Sequence, residues 1–447
     1  MKVSFKTLGC RLNQHETDAL VSAFDRAGYQ IVDFKEQADI TVINTCTVTG
    51  QSDHKSRNTI HQAISTNPKA KIIVTGCMVG QYKEELEKIP GVTLVVDNKN
   101  KNAILEILEK KQTDVSEVKI PSGVFNYQPV QKSFHTRAAI KIQDGCDNFC
   151  TFCIIPQVRG RAVSRPVDEV IENIKKTIGH GFKEVVLTGV NIGRYYSNGT
   201  RFTQLLEKVL EIPGDFRVRI SSLEPDGFGK DFIALFRHPK LTPHLHLCLQ
   251  SGSDPVLLKM RRMYSTQNYL ELIDQIKNSY PDFNLTTDII VGFPGETDAH
   301  FKETLNIVKQ IGFSHVHTFK YSVRTGTYAE RMPNQVDELI KTQRSEKLRI
   351  LSENNKMEYY QQFIGSTEKV LVEKPISGNW YFGYGEHYIP IIFQHFQNLK
   401  NQWVDVKLTR IIGGKRILME GESVLPSVLN QQTIKITDEP KLHHIGY

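Results

Sequence analysis

Three cysteines, Cys146, Cys150 and Cys153, stand in a C-x3-C-x2-C run immediately after an apolar, strand-like stretch at residues 138–142. No fourth Cys or His stands nearby to close a tetrahedron. A structural zinc site is normally closed by four protein ligands. A cubane iron–sulfur cluster can instead be held by three thiolates, leaving one iron open to a further ligand. The alternatives are three reduced structural thiols or a zinc knuckle with distant partners, and buried structural cysteines have no reason to crowd at this spacing. The run therefore predicts an open iron site.

Seven cysteines in a 447-residue chain, an odd number with no secretory pattern before them, argue against a disulfide framework and for ligand thiols in a reducing compartment. Residues 3–8, 40–44, 72–75 and 93–96 are short apolar runs, and residues 16–27 and 84–88 read as helical between them. Such alternation predicts an α/β unit over residues 1–112 with a doubly wound parallel sheet. Cys10, Cys46 and Cys77 each fall one or two residues past the end of one of these strands. In an open α/β sheet the carboxyl ends of the strands share one rim, where ligands bind. The three thiols should converge there as a second three-cysteine site, the other reading being three small buried hydrophobes. Gly9 and Gly76 precede two of them and allow close backbone approach.

Residues 113–132 lose the period and carry Pro121, Gly123 and Pro129, as a linker does. From residue 133 to 363 the alternation resumes on a larger scale, with strands expected at 138–142, 185–188, 217–220, 246–249, 287–291 and 315–319. Helices are expected at 166–179, 203–212, 266–279 and 299–311. Six β/α units suit a partial (β/α)6 barrel, open on one side for a large substrate, better than a closed eightfold one. Residues 336–363 read as a long polar helix with a solvated basic face formed by Lys341, Arg344, Lys347 and Arg349. Over residues 366–425 about five short strands predict a small closed all-β barrel, an architecture often used on nucleic acid. Residues 426–447 form a tail. No run approaches the roughly 20 apolar residues of a membrane helix, and the expected location is the cytoplasm.

The C-x3-C-x2-C run resembles that of the radical S-adenosylmethionine (SAM) enzymes, in which the open iron chelates the methionine end of the cofactor. The resemblance implies cofactor contacts from loops at successive strand ends: Gly189, Val190 and Asn191, then Glu224, then Gln250, then Gly292. Arg262 offers a guanidinium to the cofactor carboxylate, and Phe152, inside the cysteine run, completes the set. Cys248, within an expected strand, reads as a core thiol. Over residues 1–425 the chain resembles the radical SAM methylthiotransferases more closely. Leu8-Gly9-Cys10-Arg11-Leu12-Asn13-Gln14, Asn44-Thr45-Cys46 and Thr75-Gly76-Cys77 look like that family's signatures. It joins a domain with an auxiliary cluster, a radical domain and a C-terminal TRAM barrel that binds substrate.

This resemblance implies two 4Fe-4S clusters, on Cys10, Cys46 and Cys77 and on Cys146, Cys150 and Cys153, together with SAM. Asn13-Gln14-His15-Glu16-Thr17 and Asn44-Thr45-Cys46-Thr47-Val48-Thr49 suggest the bacterial branch acting on N6-threonylcarbamoyladenosine at position 37, in the anticodon loop of tRNA. A flavodoxin or ferredoxin as electron donor and a monomeric state belong to the same expectation. The competing substrates are isopentenyladenosine in tRNA and a ribosomal-protein side chain. A different class of reading is a non-catalytic iron–sulfur RNA-binding protein.

Trp380, Tyr381, Phe382, Tyr384, Tyr388, Phe393, Phe396 and Trp403 crowd the C-terminal segment, either as stacking platforms for bases or as barrel core. Lys400, Lys407, Arg410, Lys415 and Arg416 are candidate phosphate contacts. They are nearly balanced by Glu368, Glu373, Glu386, Asp405, Glu420 and Glu422, so the net charge of +7 decides nothing by itself. Arg159, Arg161 and Arg165, just past the cysteine run, either guide an RNA loop or are simply solvated.

Overall fold

A computed structural model of the chain describes residues 1–110, 123–226, 229–414 and 416–424. Residues 113–122 of the expected linker, Lys415 and the tail 426–447 lie outside the described residues.

The N-terminal unit is a parallel sheet of β1 (Lys2–Thr7), β2 (Gln30–Val32), β3 (Ile40–Thr45), β4 (Lys71–Gly76) and β5 (Val92–Val96) in the order β2-β1-β3-β4-β5. Every residue of β3 is buried, because helices cover both faces of a doubly wound sheet. The helix α1 (Arg11–Arg26) drives Leu20, Val21 and Phe24 into the core against Val3, Phe5 and Val42. It begins at Arg11 rather than at 16, since Cys10 takes the extended conformation of a helix N-cap. The expected segment 84–88 is the end of helix Val79–Glu87. Helix Gly50–Thr66 escaped the sequence reading because only Ser56, Thr59, Ile60 and Ala63 of its largely polar sequence are buried.

Six parallel strands follow: β6 (Ala138–Lys141), β7 (Glu184–Thr188), β8 (Arg217–Ile220), β9 (His244–His246), β10 (Asn284–Val291) and β11 (His315–Lys320). They form two pieces, β8-β7-β6 and β9-β10-β11, joined by single bridges Val218↔Leu241 and Leu223↔Leu247 into an open arc. Val218 and Ile220 of β8 join the apolar core, whereas Arg219 lines the cavity on the inner face of the arc. β9 ends three residues before the expected 249, and Gln250 beyond it has a positive φ of 63°.

The long helix Glu338–Gln361 packs on β11 and corrects the expectation of a solvated basic face. Lys341 and Arg344 are buried, with Arg344 Nη1 donating to the Glu296 carbonyl at 3.1 Å, and only Lys347 and Arg349 face solvent.

The C-terminal unit is a closed barrel of β12 (Thr367–Pro375), β13 (Trp380–Tyr384), β14 (Pro390–Gln394), β15 (Trp403–Ile412) and β16 (Leu418–Ser423), ordered β12-β13-β14-β16-β15 and closed by β15 on β12. So small a barrel needs its aromatics for its own interior. Trp380, Phe382, Tyr384 and Phe393 are buried, Tyr381, Tyr388 and Trp403 are half-buried, and only Phe396 of the expected platforms is exposed. Arg410 pairs with Glu420 at 2.9 Å and Arg416 donates to the Tyr384 hydroxyl, so neither is an idle surface charge. Tyr388 reaches out of the barrel into the open arc, its ring centroid 4.8 Å from that of His244 and its hydroxyl accepting from Arg11 Nη2 at 2.5 Å. Among the described residues no helix is long and apolar enough to cross a membrane.

Candidate active site

The ends of β1, β3 and β4 bring Cys10, Cys46 and Cys77 onto one rim. Gly9 has a φ of 94°, and a Cβ there would sit 2.8 Å from Cys46 Cβ and 2.9 Å from its Sγ. Only glycine accepts both that backbone and that approach. Asn13, one turn into α1, fixes the strand ends by donating from Nδ2 to the carbonyls of Leu8 (2.8 Å) and Thr45 (3.0 Å). Asn44 Nδ2 returns a bond to the Asn13 carbonyl at 3.0 Å. The two asparagines of the motifs therefore position the loops that carry Cys10 and Cys46. Burial pushes the Cys46 thiol up to about 11, so it holds its proton until a cation replaces it.

The second trio lies on a loop pinned at its base by a short antiparallel pairing of Gln143–Asp144 with Val163–Ser164. Gly145 makes the turn; a Cβ on it would lie 2.0 Å from the Arg161 carbonyl oxygen. Donors are aimed at the sulfurs: the Asn148 amide at Cys146 Sγ (3.5 Å) and Arg262 Nη1 at Cys150 Sγ (3.2 Å). Burial pushes Cys153 up to about 12. Three thiols with N–H donors directed at sulfur are the donor set of an iron–sulfur cluster, whose potential such bonds tune. The residues of both trios fit the group.

The two sites adjoin. Cys77 packs in one small apolar cluster with Ile154, the neighbour of Cys153, and with Val158. Beside this cluster lies a buried ionic network that the sequence reading did not find. Arg159 Nη1 donates to Glu16 Oε1 (3.0 Å) and Asp144 Oδ1 (3.1 Å), and its Nη2 donates to Asn13 Oδ1 (2.6 Å). Lys101 and Lys141 close on the two oxygens of Glu16 at 2.5 and 2.9 Å, and Lys141 also meets Asp144 at 2.6 Å. Although burial alone would raise it, Glu16 is held well below the usual carboxylate range by Arg159, Lys101 and Lys141. Arg159 is thus neither solvated nor free to guide RNA. Arg165 is buried and pairs with Glu169 at 3.2 Å, while Arg161 is exposed and pairs with Asp147 at 2.5 Å.

Of the expected cofactor contacts, Asn191 and Arg262 touch the sulfurs of the second trio and Glu224 joins it through Arg262, while the others stand on further strand-end loops. The backbone N–H groups of Val190 and Asn191 donate to Gln143 Oε1 at 2.9 and 2.8 Å, which shapes the loop after β7. Gly189 lies against Gln143, its Cβ position 2.8 Å from the Gln143 carbonyl. Asn191 hydrogen-bonds Cys146, and its buried Oδ1 has no partner among the described residues. Glu224 pairs with Arg262, the residue that touches Cys150. The Gln250 amide donates to the Asp288 carbonyl at 2.8 Å, and the Phe152 ring is edge-on to Phe293 at 6.2 Å. Gly292 lies farther from open space, since the stem of Lys341 comes within 2.3 Å of its Cβ position. Cys248 is buried, with its thiol near His246 and Asp288.

A cavity of about 2040 Å³ opens between the three units, lined by Cys10 and Cys46, by Thr188 and Gly189, and by Tyr388. It exceeds the roughly 300–1,000 Å³ of small-molecule sites. Among the described residues, twelve lysines and arginines line it against four carboxylates.

Residues 2–97 match the family model described as Uncharacterized protein family UPF0004, and residues 140–308 match the Radical SAM superfamily. The chain is 38% identical to threonylcarbamoyladenosine tRNA methylthiotransferase MtaB of Bacillus subtilis (strain 168), over 91% of this chain and 94% of that one. It is 39% identical to the protein of the same name from Aquifex aeolicus (strain VF5), over 83% and 93%. A tRNA-2-methylthio-N(6)-dimethylallyladenosine synthase of Fusobacterium nucleatum subsp. nucleatum is 35% identical, over 91% and 97%. In fold the chain is similar to the radical S-adenosylmethionine methyltransferase TsrM from Kitasatospora setae, with a TM-score of 0.53 at 13% identity over 74% of this chain and 77% of that one. With its N-terminal and radical units matched and curated relatives aligned over most of its length, the chain belongs to the radical SAM tRNA methylthiotransferases, in the threonylcarbamoyladenosine branch.

Proposed function

We propose that this chain methylthiolates C2 of N6-threonylcarbamoyladenosine at position 37 of tRNA, acting in the cytoplasm as a monomer and drawing electrons from a flavodoxin or ferredoxin. The observation that carries the reading is the cavity: basic, too large for a small molecule, and walled by Cys10 and Cys46 of the first trio on one side and the loop after β7 on another. Cys146, Cys150 and Cys153 would hold one 4Fe-4S cluster and Cys10, Cys46 and Cys77 a second. When bound, these groups with SAM supply a 5'-deoxyadenosyl radical to take the C2 hydrogen and a methylated sulfur for the new C2–S bond.

The protein's part is placement. Arg262, fixed between Glu224 and Cys150, presents a guanidinium beside the open site, where it suits the cofactor carboxylate. Asn191 offers its free Oδ1 as an acceptor for the cofactor ammonium. Phe152, Gly189, Val190, Gln250 and Gly292 complete the proposed cofactor wall, with Gly292 acting through the loop it turns. The exposed bases of the cavity, Lys55, Arg349 and Lys400, neutralise the phosphates of the entering loop. Ile154 and Val158 exclude water from between the two trios.

Anaerobic reconstitution should load about eight iron atoms per chain, two cubanes, and about four would sink the second site. Cys146→Ala should abolish SAM cleavage. Cys10→Ala should spare cleavage and stop sulfur insertion, read by nucleoside mass spectrometry of tRNA from cells with and without the chain.

A further inference from the structure

Buried guanidiniums on the inner wall of the cavity lack acceptors. Arg219 is 1% exposed; its Nε donates to Glu184 Oε1 at 2.9 Å and its Nη2 leans on Oε2 at 3.5 Å, but Nη1 finds no partner among the described residues. Arg137 Nη2 pairs with Glu373 at 2.7 Å and its guanidinium also meets the Tyr388 hydroxyl, while its Nη1 finds no acceptor among the described residues. Both guanidiniums lie against the one ring of Tyr388, at 4.4 and 5.2 Å from its centroid, and both act on the charge of Glu184. Ser221 Oγ, two residues along β8's direction from Arg219, and His244 Nδ1 are buried on the same wall and also have no partner among the described residues.

Charge shows the same deficit. Arg11, Arg137 and Arg219 converge on Tyr388, against Glu373 and a Glu184 that Arg217 shares; Arg217 also faces Glu386 and Glu368, and Asp288 is matched by His246 at 3.2 Å. Although burial would raise it, the Tyr388 hydroxyl is held down to about 7 by Arg11, Arg137 and Arg219. Guanidinium N–H groups only donate, and a buried donor left unpaired is costly. The group that belongs there is an anionic acceptor.

We propose that Arg219 and Arg137, with Ser221 beside them, form the site that receives the carboxylate of the threonyl substituent on the target adenine, and so set the substrate. This rests on the methylthiotransferase reading. An N6-threonylcarbamoyl group ends in a free carboxylate; a dimethylallyl group ends in methyls and would bury these donors unsatisfied. A site built around polar partners rejects an analogue lacking them strongly. Overall identities of 38% and 35% to relatives named for the two substrates hardly separate them, whereas this wall does.

The test uses the full chain and four anticodon stem-loop RNAs of one sequence: threonylcarbamoylated at position 37, its carboxyl methyl ester, dimethylallylated, and unmodified. Wild-type chain should bind the acid at least about tenfold tighter than the ester. Arg219→Gln should erase most of that preference while holding the unmodified RNA as wild type does. Ser221→Ala, which leaves the Arg219–Glu184 pair intact and keeps the test valid if Arg219→Gln misfolds, should reduce the preference about threefold. Equal weakening on all four RNAs would mean that Arg219 meets a backbone phosphate and would overturn the proposal. So would wild-type chain that methylthiolates the acid RNA yet binds acid and ester alike. Wild-type chain that methylthiolates none of the four removes the proposed function and this site with it.

Discussion

Arg159→Met tests whether the ionic network between the cysteine sites holds the two units together. The guanidinium makes bonds of 3.0 Å to Glu16, 3.1 Å to Asp144 and 2.6 Å to Asn13, with all the charged partners buried. Methionine keeps most of the volume but removes one of three cations facing two carboxylates, and it strips Asn13 Oδ1 of its donor. Breaking a buried ion network by deleting one member costs about 3–5 kcal/mol. The remaining charges, Lys101 and Lys141 against Glu16 and Asp144, balance, so the lower half of that range, about 3 kcal/mol, is expected. For a domain of this size each kcal/mol lowers the thermal midpoint by about 2–4 °C, giving about 6–12 °C. The assay is thermal unfolding of the apo-protein under reducing conditions, in a double-mutant cycle with Glu16→Gln. Asn13 also orients the carbonyls of Leu8 and Thr45 beside Cys10 and Cys46, so the variant should lose iron from that trio first. A midpoint shift below about 2 °C, or additive effects of the two substitutions, would refute the network's role.

Three further outcomes follow from particular contacts. Gly9→Ala must place a methyl group 2.9 Å from Cys46 Sγ at a φ of 94°, so the reconstituted chain should carry about half the wild-type iron while still cleaving SAM. Tyr388, held down to about 7, should show a phenolate absorbance change near neutral pH that is absent in Tyr388→Phe. Because its folded value lies below the unfolded one near 10, the stability it contributes is present at high pH and is lost as pH falls through about 7. His387 Nδ1 donates to Glu368 Oε1 at 2.6 Å and, despite burial, is raised above the ordinary histidine value by that carboxylate. Its stabilisation is therefore complete below about 6.5 and fades as pH rises through the raised value, and the gap in thermal midpoint between wild type and His387→Ala should narrow accordingly.

The doubly wound parallel sheet, the open arc and the closed barrel were legible in the sequence because most strands carry their own apolar run and their own stop, whereas the strand orders and the short edge strand Gln30–Val32 were not. The convergence of Cys10, Cys46 and Cys77 followed from a rule about sheet rims, and the cysteines needed no tertiary information beyond it. Helix Gly50–Thr66 was not legible, since its buried stripe is short and built partly from Ser and Thr. The aromatics of the C-terminal barrel were ambiguous for a physical reason: a base-stacking ring and a core ring have the same composition, and only burial separates Phe396 from Phe393. Arg159 and Glu16 were invisible as partners because 143 residues divide them and because a lone arginine after a motif is, on composition, a surface residue.

Both regions that the sequence left unread are buried and short of negative charge. Beside the first trio, Lys101, Lys141 and Arg159 outnumber Glu16 and Asp144 by one; around Tyr388, Arg11, Arg137 and Arg219 outnumber Glu184 and Glu373 by one. A folded chain gains nothing from an unmatched buried cation, which burial penalises and which only an anion offsets. Three thiolates binding a 2+ cubane would carry a net charge of about −1, which matches the first surplus. A substrate carboxylate would reduce the second. The apo-protein should therefore be less stable than its loaded form by more than the ligand contacts alone supply, because loading also relieves the cations. Adding the acid stem-loop to reconstituted chain should raise the thermal midpoint more than adding the ester, and the difference should vanish in Arg219→Gln.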